Sequence, residues 1–337
     1  MVGKKISILT SLLLSVSILG GCSKTPAVSS DKSANKEKII KIGISQVTEH
    51  PALDAARNGF IEALKSKGFE DGKNIKIDYQ NAQGEIATAQ TIAQNFVSQK
   101  EDLILAIATP SAQAAYNATK DIPILITAVT DPIKAGLTKS LDKPDTNVTG
   151  TSDDVSIEKQ LELLKKLLPN SKKMGVIYNS SESNSEIQLE NIKKAVPNFN
   201  LELVSVGVNN VNEITQALNS ILDKIDVLYI PTDNLVVSAM PLISNTCFKK
   251  NIPIIGSEEG QVASGALATN GIDYFKLGFQ TGLMAVEILN GKKVSQIPIT
   301  TLSELSMVIN IDAAKKLNIN IPEDISNKAK KITGGVN

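Results

Sequence analysis

Polar side chains follow most of the apolar, strand-like runs of this chain, and they mark where its chemistry would take place. The residues at these points, and in the segments that pass between the two halves of the chain, are Thr109, Ser111, Thr130, Asp131, Thr151, Ser152, Ser183, Asn184, Asp233, Asn234, Glu258, Asp273 and Tyr274. Hydroxyls, amides and carboxylates are all present at these tips, but Lys and Arg are not. Because ligands of open parallel sheets bind beyond the carboxyl ends of the strands, we predict that these residues line a ligand-binding cleft.

The charges of this predicted cleft favour a ligand that carries one ammonium and one carboxylate group. Carboxylates such as Asp233, with no fixed cation among them, would attract an ammonium group. Helices that begin just after Pro110 and at Ser183 would direct free N–H groups and positive dipole ends at a ligand carboxylate. A zwitterionic α-amino acid satisfies both requirements, whereas phosphate, sulfate and dicarboxylates would keep unneutralised negative charge.

Each of these residues also has a simpler structural explanation. Ser111 and Ser183 are common types of helix N-cap. Asp131 stands before a proline, as many turn residues do. Asp233 and Asp273 each follow a strand and precede a helix, where a capping role suffices. It is the convergence of all these residues on one edge of both predicted sheets that favours a binding site.

The elements that must position these residues occur twice along the chain. The segment Ile42-Gly43-Ile44-Ser45 is similar to Met174-Gly175-Val176-Ile177, and the segment Asp102-Leu103-Ile104-Leu105 is similar to Asp226-Val227-Leu228-Tyr229. An offset of roughly 120–130 residues corresponds to a whole domain and not to a solenoid repeat. Two similar lobes that face each other would form the cleft.

Within each copy, apolar runs of strand length alternate with segments of helical periodicity, which predicts parallel βαβ units. The predicted fold is α/β, with two similar doubly wound, Rossmann-like lobes joined by a three-segment hinge. Residues 39–149 with about 273–300 form the N-terminal lobe, and residues 150–272 with about 301–337 form the C-terminal lobe. One long Rossmann enzyme is the rival, but the sequence contains no Gly-x-Gly-x-x-Gly fingerprint.

The start of the chain has the pattern of an export signal. Lys4-Lys5 is followed by an apolar stretch that is short for a membrane span and then by Leu19-Gly20-Gly21-Cys22. This last sequence resembles the bacterial lipobox, in which the cysteine is lipidated. We predict a signal peptide over residues 1–21, lipidation of Cys22, a flexible tether over residues 22–38, and anchoring to the outer face of the cytoplasmic membrane. The alternative is an ordinary secretory signal with a chance cysteine.

Composition excludes several other classes of function. The chain has 35 Lys and Arg against 35 Asp and Glu, a balance that argues against nucleic-acid binding. His50 is the only histidine and precedes a proline, which is typical of a helix-start turn; no metal site and no cofactor are expected. Cys247 is left without a partner and is expected to be a small buried apolar residue. We expect a monomer.

Five segments resemble the substrate-binding lipoproteins of ABC transporters of the tryptophan/tyrosine type: residues 49–54, 128–132, 147–152, 229–234 and 265–274. The resemblance implies a type I periplasmic-binding-protein fold and no enzymatic activity. It also implies capture of an aromatic amino acid (tryptophan, tyrosine or phenylalanine) by hinge closure, for import by an ABC permease with a cytoplasmic ATPase. Tyr274, Phe275 and Tyr178 lie near the predicted cleft, where they would flank a ring.

Other functions stay open at this point. A binding protein for another small solute, such as a sugar or a nucleoside, would have the same fold. A ligand-sensing co-receptor would use the same closure with a different docking surface. An anchored hydrolase that uses Glu258 or Asp273 is disfavoured, because His50 supplies no Ser-His-Asp set and no nucleophile elbow is present.

Overall fold

Strands and helices alternate throughout residues 38–336, the part of the chain that the computed structural model describes. The predicted signal peptide, Cys22 and nearly all of the predicted tether lie outside these described residues. None of the helices within residues 38–336 is long and apolar enough to cross a membrane. The described chain forms two α/β lobes, each built on its own sheet, as the repeat predicts.

The first lobe has a six-stranded sheet in which every pairing is parallel. Its strands are β1 (Ile40–Gln46), β2 (Ile75–Asn81), β3 (Leu103–Ile107), β4 (Ile124–Val129), β5 (Val148–Ser152) and, from late in the chain, β11 (Thr300–Thr301). Its helices are α1 (Pro51–Ser66), α2 (Ile86–Gln99), α3 (Thr109–Ala118) and α10 (Tyr274–Leu289). The strands β3 and β4 are buried on both faces, which explains their unbroken apolar sequences.

The second lobe has a seven-stranded sheet, parallel except for one antiparallel pair near its edge. Its strands are β6 (Lys173–Asn179), β7 (Glu202–Val208), β8 (Val227–Ile230), β9 (Ile254–Gly256), β10 (Ala268–Gly271), β12 (Ser306–Asn310) and β13 (Lys330–Ile332). Its helices are α4 (Ile157–Leu167), α5 (Ser183–Ala195), α6 (Ile214–Ile221), α7 (Asn234–Ser238), α8 (Met240–Lys249), α9 (Glu259–Ala263), α11 (Ile311–Lys316) and α12 (Glu323–Ser326). Short 3-10 turns complete the described elements at Val196–Phe199, Val211–Glu213, Leu222–Lys224 and Val294–Gln296.

The sequence repeat corresponds to equivalent strands of the two sheets. The first sheet contains the order β2-β1-β3-β4-β5 and the second the order β7-β6-β8-β9-β10. The matched segments therefore fall on β1 and β6 and on β3 and β8. The predicted fold class, two similar doubly wound lobes, is confirmed.

The chain crosses between the lobes three times, at residues 153–156, 272–273 and 302–305. The predicted first boundary, between residues 149 and 150, falls inside β5, which belongs entirely to the first sheet. Threonine and serine make up most of β5, and Thr149 and Thr151 are fully buried with their hydroxyls hydrogen-bonded inside the lobe. Because such a strand lacks an apolar run, its full length was not predicted. The two-residue strand β11 likewise moves the third crossing past residue 301.

Each sheet has an apolar core on both of its faces. In the first lobe, α1 and α10 cover one face around Phe60, while α2 and α3 cover the other around Phe96. In the second lobe, α4 and α5 cover one face, and α6, α7 and α8 cover the other. Cys247 is fully buried in this last core, as expected.

The return of α10 to the first lobe is confirmed, and its contact with α1 is unusually close. A Cβ atom on Gly278 would lie 1.8 Å from the carbonyl oxygen of Ala56, and one on Gly59 would lie 2.1 Å from the carbonyl oxygen of Phe275. Only glycine lets the two backbones approach this closely. The contact fixes the start of α10, with Tyr274, relative to the start of α1, with His50.

Replacement of Gly278 by alanine is expected to lower the free energy of unfolding by about 1–3 kcal/mol, because the added methyl group must push α10 away from α1. Urea unfolding followed by circular dichroism measures the change. Glu287→Ala, on the exposed face of the same helix, is the control and should change stability by less than about 0.5 kcal/mol. Equal stability of the two variants would show that this contact is not a close one.

Candidate functional site

The carboxyl edges of the two sheets face each other, and the loops that follow the strands meet between the lobes. Thr130, after β4, lies with its Oγ1 atom 3.4 Å from Oγ1 of Thr232, after β8 in the other lobe. The helix α3 packs against α5 across the same cleft. Because both helices present their N-termini at this edge, their free first-turn N–H groups and positive dipole ends face the cleft from opposite lobes.

Two strand ends of the first sheet adopt strained backbone conformations at this edge. Ala108, between β3 and α3, has a φ of 74° and a ψ of 158°. Ala128, near the end of β4, has a φ of 58°. Residues with a Cβ atom rarely adopt positive φ, and such strain, of order 1–3 kcal/mol per residue, concentrates at functional sites. The strain turns the chain so that Thr109 and Thr130 face the opposite lobe.

Several buried polar atoms around the cleft make no hydrogen bond within residues 38–336. They are Oγ1 of Thr109, Oγ of Ser111, Oγ of Ser183, Oδ1 of Asn184, Oδ1 of Asp153 and both ring nitrogens of His50. A buried polar group without a partner costs about 1–3 kcal/mol, so native structures keep few of them. The concentration of these atoms between the lobes indicates a site built for a polar ligand.

Four buried carboxylates border this site, and in three of them both oxygens are already hydrogen-bonded to the protein. Glu182 accepts from the side-chain amides of Asn179 and Asn234. Glu258 accepts from the N–H groups at the start of α9. Asp233 accepts three hydrogen bonds, described below.

The fourth carboxylate, Asp153, differs from these three. Its Oδ2 atom accepts a hydrogen bond from the hydroxyl of Tyr274, whereas its Oδ1 atom is buried without a partner in the described structure. Asp153 therefore presents the one buried carboxylate oxygen among these four residues that is open to a ligand.

Burial controls the ionisation of these groups. It raises the pKa of Asp153 to about 6, although the hydrogen bond from Tyr274 opposes the change. It raises the pKa of Glu258 to about 7 and also raises those of Glu182 and Asp233, which interact with each other. His50 is affected in the opposite direction, since burial lowers its pKa to about 4 and keeps its ring neutral near pH 7. The site thus combines buried acids with no cationic histidine.

Arg57, on α1, is a cation near this edge that is engaged by side chains of the first lobe. Its guanidinium donates to Oε1 of Gln46, forms an ion pair with Asp54 and lies over the ring of Tyr79. These contacts hold it on the outer side of the first lobe. It is not among the residues that line the inner cavity between the lobes, which include His50, Asp153, Asn184 and Tyr274.

The residues predicted from the sequence fall into two groups. Those that border the cleft between the lobes are Thr109, Ser111, Thr130, Ser183, Asn184, Asn234, Glu258 and Tyr274. The others have structural contacts that explain them. Thr151 bonds Thr127 and Thr281 inside the first lobe, and Ser152 bonds the Thr130 carbonyl.

Asp131 and Asp273 lie at the margin of the cleft. Asp131 accepts from two N–H groups of its own turn, and Asp273 caps α10. Each forms an ion pair with a lysine three residues later. Their carboxylates are therefore engaged locally, and neither residue lines the inner cavity.

The structure gives Asp233 a different role from the predicted contact with an ammonium group. One carboxylate oxygen caps α7 through the N–H of Val236, and the other accepts from the N–H of Asn179 and the hydroxyl of Ser185. Asp233 thereby joins three segments of the second lobe. The simpler of the two explanations, helix capping, applies to this residue.

Asp153, Glu182 and Thr232 lie in the loops that the sequence predicts for the site but were not singled out as ligand-binding residues, and no binding role was predicted for His50. Asp153 follows β5 directly and belongs to the Thr151-Ser152-Asp153 tip, so its position at a strand end was a usable signal. His50 was assigned to a helix-start turn, and it does precede α1. Its burial, at 8% exposure with neither nitrogen bonded, was not visible in the sequence.

Replacement of Asp233 by alanine is expected to lower the free energy of unfolding without ligand by about 2 kcal/mol or more, because three buried donors lose their acceptor. Thermal melting of the ligand-free variant tests this. Asp273→Ala, which removes a half-exposed cap, should cost only about 0.5–1 kcal/mol. An unchanged melting temperature for Asp233→Ala would restore this residue to a ligand-binding role.

Comparison with known proteins gives the same picture over nearly the whole described chain. The family model for ABC transporter substrate binding proteins matches residues 41–333. A tyrosine-binding protein of Clostridioides difficile is 55% identical over 319 residues, which cover 94% of this chain and 92% of that protein. The structure of an ABC domain from Streptococcus pneumonia in complex with L-Trp is 37% identical and has a TM-score of 0.84, with 87% of this chain and 99% of that chain covered.

A third relative bears on the arrangement of the lobes. The ligand-free, open structure of a substrate binding protein with adhesive properties from Clostridium difficile is 52% identical, covering 88% of this chain and all of that chain, yet its TM-score is only 0.67. The protein with the more similar sequence thus superposes less well than the tryptophan complex does. In the structure described here the lobes contact each other across the cleft, through Thr130 with Thr232 and through α3 with α5, which is a closed arrangement.

These relatives bind solutes and are not enzymes, and proteins of this kind act outside the cytoplasm together with an ABC permease. The family match, the shared two-lobed fold and a cleft lined with unpartnered polar groups agree with one another. The chain belongs to the ABC transporter substrate-binding protein family.

Proposed function

We propose that this protein captures a zwitterionic aromatic amino acid between its lobes and delivers it to an ABC permease for import. The observation that carries the proposal is the unpartnered Oδ1 atom of Asp153, buried at the centre of the cleft. A ligand ammonium group would supply the missing partner and neutralise the charge. The relatives named for tyrosine and solved with tryptophan support an aromatic side chain.

The carboxylate of the ligand would bind at the facing starts of α3 and α5. Hydroxyls of Thr109, Ser111 and Ser183 lie there without partners, and so does the amide oxygen of Asn184. The hydroxyls and the first-turn N–H groups donate hydrogen bonds without an arginine. The oxygens Asn184 Oδ1 and Asp153 Oδ1, in contrast, can only accept hydrogen bonds, so they suit the ammonium group of the ligand and not its carboxylate.

Closure of the lobes would complete the site, because its groups come from both of them. Asp153 lies in the first crossing and is bonded to Tyr274 beside the second. The ligand would therefore contact the hinge itself. Hinge closure around a ligand is a common way for two-lobed binding proteins to report occupancy to a partner.

Asp153→Asn is expected to weaken binding about 100-fold, since it keeps the shape of the side chain but removes the charge that pairs with the ammonium group. Isothermal titration with tyrosine, tryptophan and phenylalanine measures the affinities. Asp131→Asn is the matched control at the margin of the cleft and should bind as the wild type does. Full affinity in Asp153→Asn would refute the ammonium contact, and a wild type that binds a sugar or nucleoside instead would refute the amino-acid ligand.

The same pairing predicts the direction of the pH dependence. Asp153 binds the ammonium group only when ionised, and its pKa in the closed cleft is about 6. Affinity should be highest near pH 7–8 and fall as the pH drops through 6, by about tenfold at pH 5. In Asp153→Asn this dependence should be lost. A wild-type affinity that is constant from pH 8 to pH 5 would contradict the assignment.

We also propose that Cys22 is lipidated and anchors a monomeric protein to the outer face of the cytoplasmic membrane. The lipobox-like Leu19-Gly20-Gly21-Cys22 sequence supports the anchor, and two acyl chains suffice for stable attachment. Cys22→Ala should release the protein into the soluble extracellular or periplasmic fraction, as measured by fractionation and immunoblotting. Cys247→Ala is the control and should stay with the membrane. Membrane association of Cys22→Ala would contradict the anchor.

A further inference from the structure

A larger space adjoins the inner cavity beside the first two crossings. This space has a volume of about 280 Å³ and shares Asp153, Thr232 and Tyr274 with the inner cavity. Ligand pockets usually measure about 300–1,000 Å³, so the space is near the small end of that range. A ligand whose ammonium group is held at Asp153 would extend its side chain into it.

The walls of this side-chain space suit a flat apolar group. Ile192 of α5, Ile272 of the second crossing and the ring of Tyr229 line it. Tyr274 contributes a second ring, buried to 7% exposure. Aromatic neighbours favour a ring over an aliphatic side chain, because stacked rings attract each other beyond the burial of apolar area.

Two of the amide side chains at the margin of the space both donate to and accept from neighbouring groups of the protein. Gln188 donates to Oγ1 of Thr232 at 2.6 Å and accepts from the N–H of the same residue at 3.1 Å. Gln160 donates to the carbonyl of Asn270 at 2.8 Å and accepts from its N–H at 3.3 Å. In both amides the carbonyl oxygen and at least one N–H group are already hydrogen-bonded.

Asn191 is different, although it lies only one turn of α5 beyond Gln188. Its side chain lines the same space and is partly buried. Within residues 38–336 its amide makes no hydrogen bond to another group. It offers one acceptor and two donors to a ligand in this space, next to the apolar side chain of Ile192.

We propose that Asn191 contacts the far end of the ligand side chain. Its amide would form a hydrogen bond with the phenol hydroxyl and so select tyrosine over phenylalanine. The proposal rests on the proposed function, because it assumes that the ligand is an aromatic amino acid with its ammonium group at Asp153. A pocket that hydrogen-bonds a hydroxyl group disfavours the analogue that lacks it, since the polar group of the protein is then left unpaired.

The test is isothermal titration of the wild type, Asn191→Ala and Lys194→Ala with L-tyrosine and L-phenylalanine. We expect the wild type to favour tyrosine by about tenfold, the effect of one hydrogen bond of roughly 1.4 kcal/mol. Asn191→Ala should lose about tenfold in tyrosine affinity with little change for phenylalanine. Lys194→Ala removes the neighbouring exposed cation of the same space and should keep the wild-type ratio.

The outcomes separate this proposal from the one on which it rests. Equal wild-type affinity for the two amino acids, or an unchanged ratio in Asn191→Ala, would overturn the role of Asn191 while leaving an aromatic amino-acid binder. Loss of the ratio in Lys194→Ala alone would also overturn it, in favour of the cation. A wild type that binds neither amino acid would overturn the proposed function itself.

Discussion

The stability of the closed arrangement of the lobes depends on whether one buried carboxylate, which has no positive partner in the protein, is neutralised. In the described structure Asp153 Oδ1 is enclosed between the lobes, and Glu182, Asp233 and Glu258 add three buried acids nearby. Removing an unpaired charge from water is unfavourable unless it is neutralised or matched. In the proposed function the ammonium group of the ligand relieves this cost, so closure and ligand binding would favour each other. A closed cleft without ligand would carry this energetic cost. Closure of the lobes would therefore indicate that a ligand is bound.

The candidate site and the segments that cross between the lobes share two residues. Asp153 begins the first crossing, and its partner Tyr274 follows the second. Tyr274 is also the first residue of α10, which glycine contacts hold against α1. A ligand bound at Asp153, as proposed, would therefore be linked to two of the three crossings and to the closely packed helix pair of the first lobe. This arrangement leaves little freedom for the lobes to move while the ligand stays in place.

The sequence predicted the two-lobed fold and the edge at which the site lies, because both follow from local rules. Continuous apolar runs in β3 and β4 identify buried parallel strands, and the residues after them must meet at one edge. The sequence did not predict which carboxylate is open to a ligand. Asp153 and Asp233 both follow strands, and only the donors of Asn179 and Ser185, about 50 residues before Asp233, distinguish them. Strand β5 was also missed in part, since its threonines are buried by hydrogen bonds that are not visible as an apolar run.

The route of the chain has a consequence for the order in which the protein folds. The first lobe receives α10 and β11 only after the main strands of the second lobe have been made, and the second lobe then receives β12 and β13. A chain that ends before residue 274 would leave the glycine face of α1 and the apolar surface around Phe60 uncovered. Neither lobe can finish its core as the chain emerges from its N-terminus, so compaction is delayed until the last sixty or so residues are available. A polypeptide that must pass through a membrane in an extended form benefits from such a delay, because no domain folds early and blocks its passage.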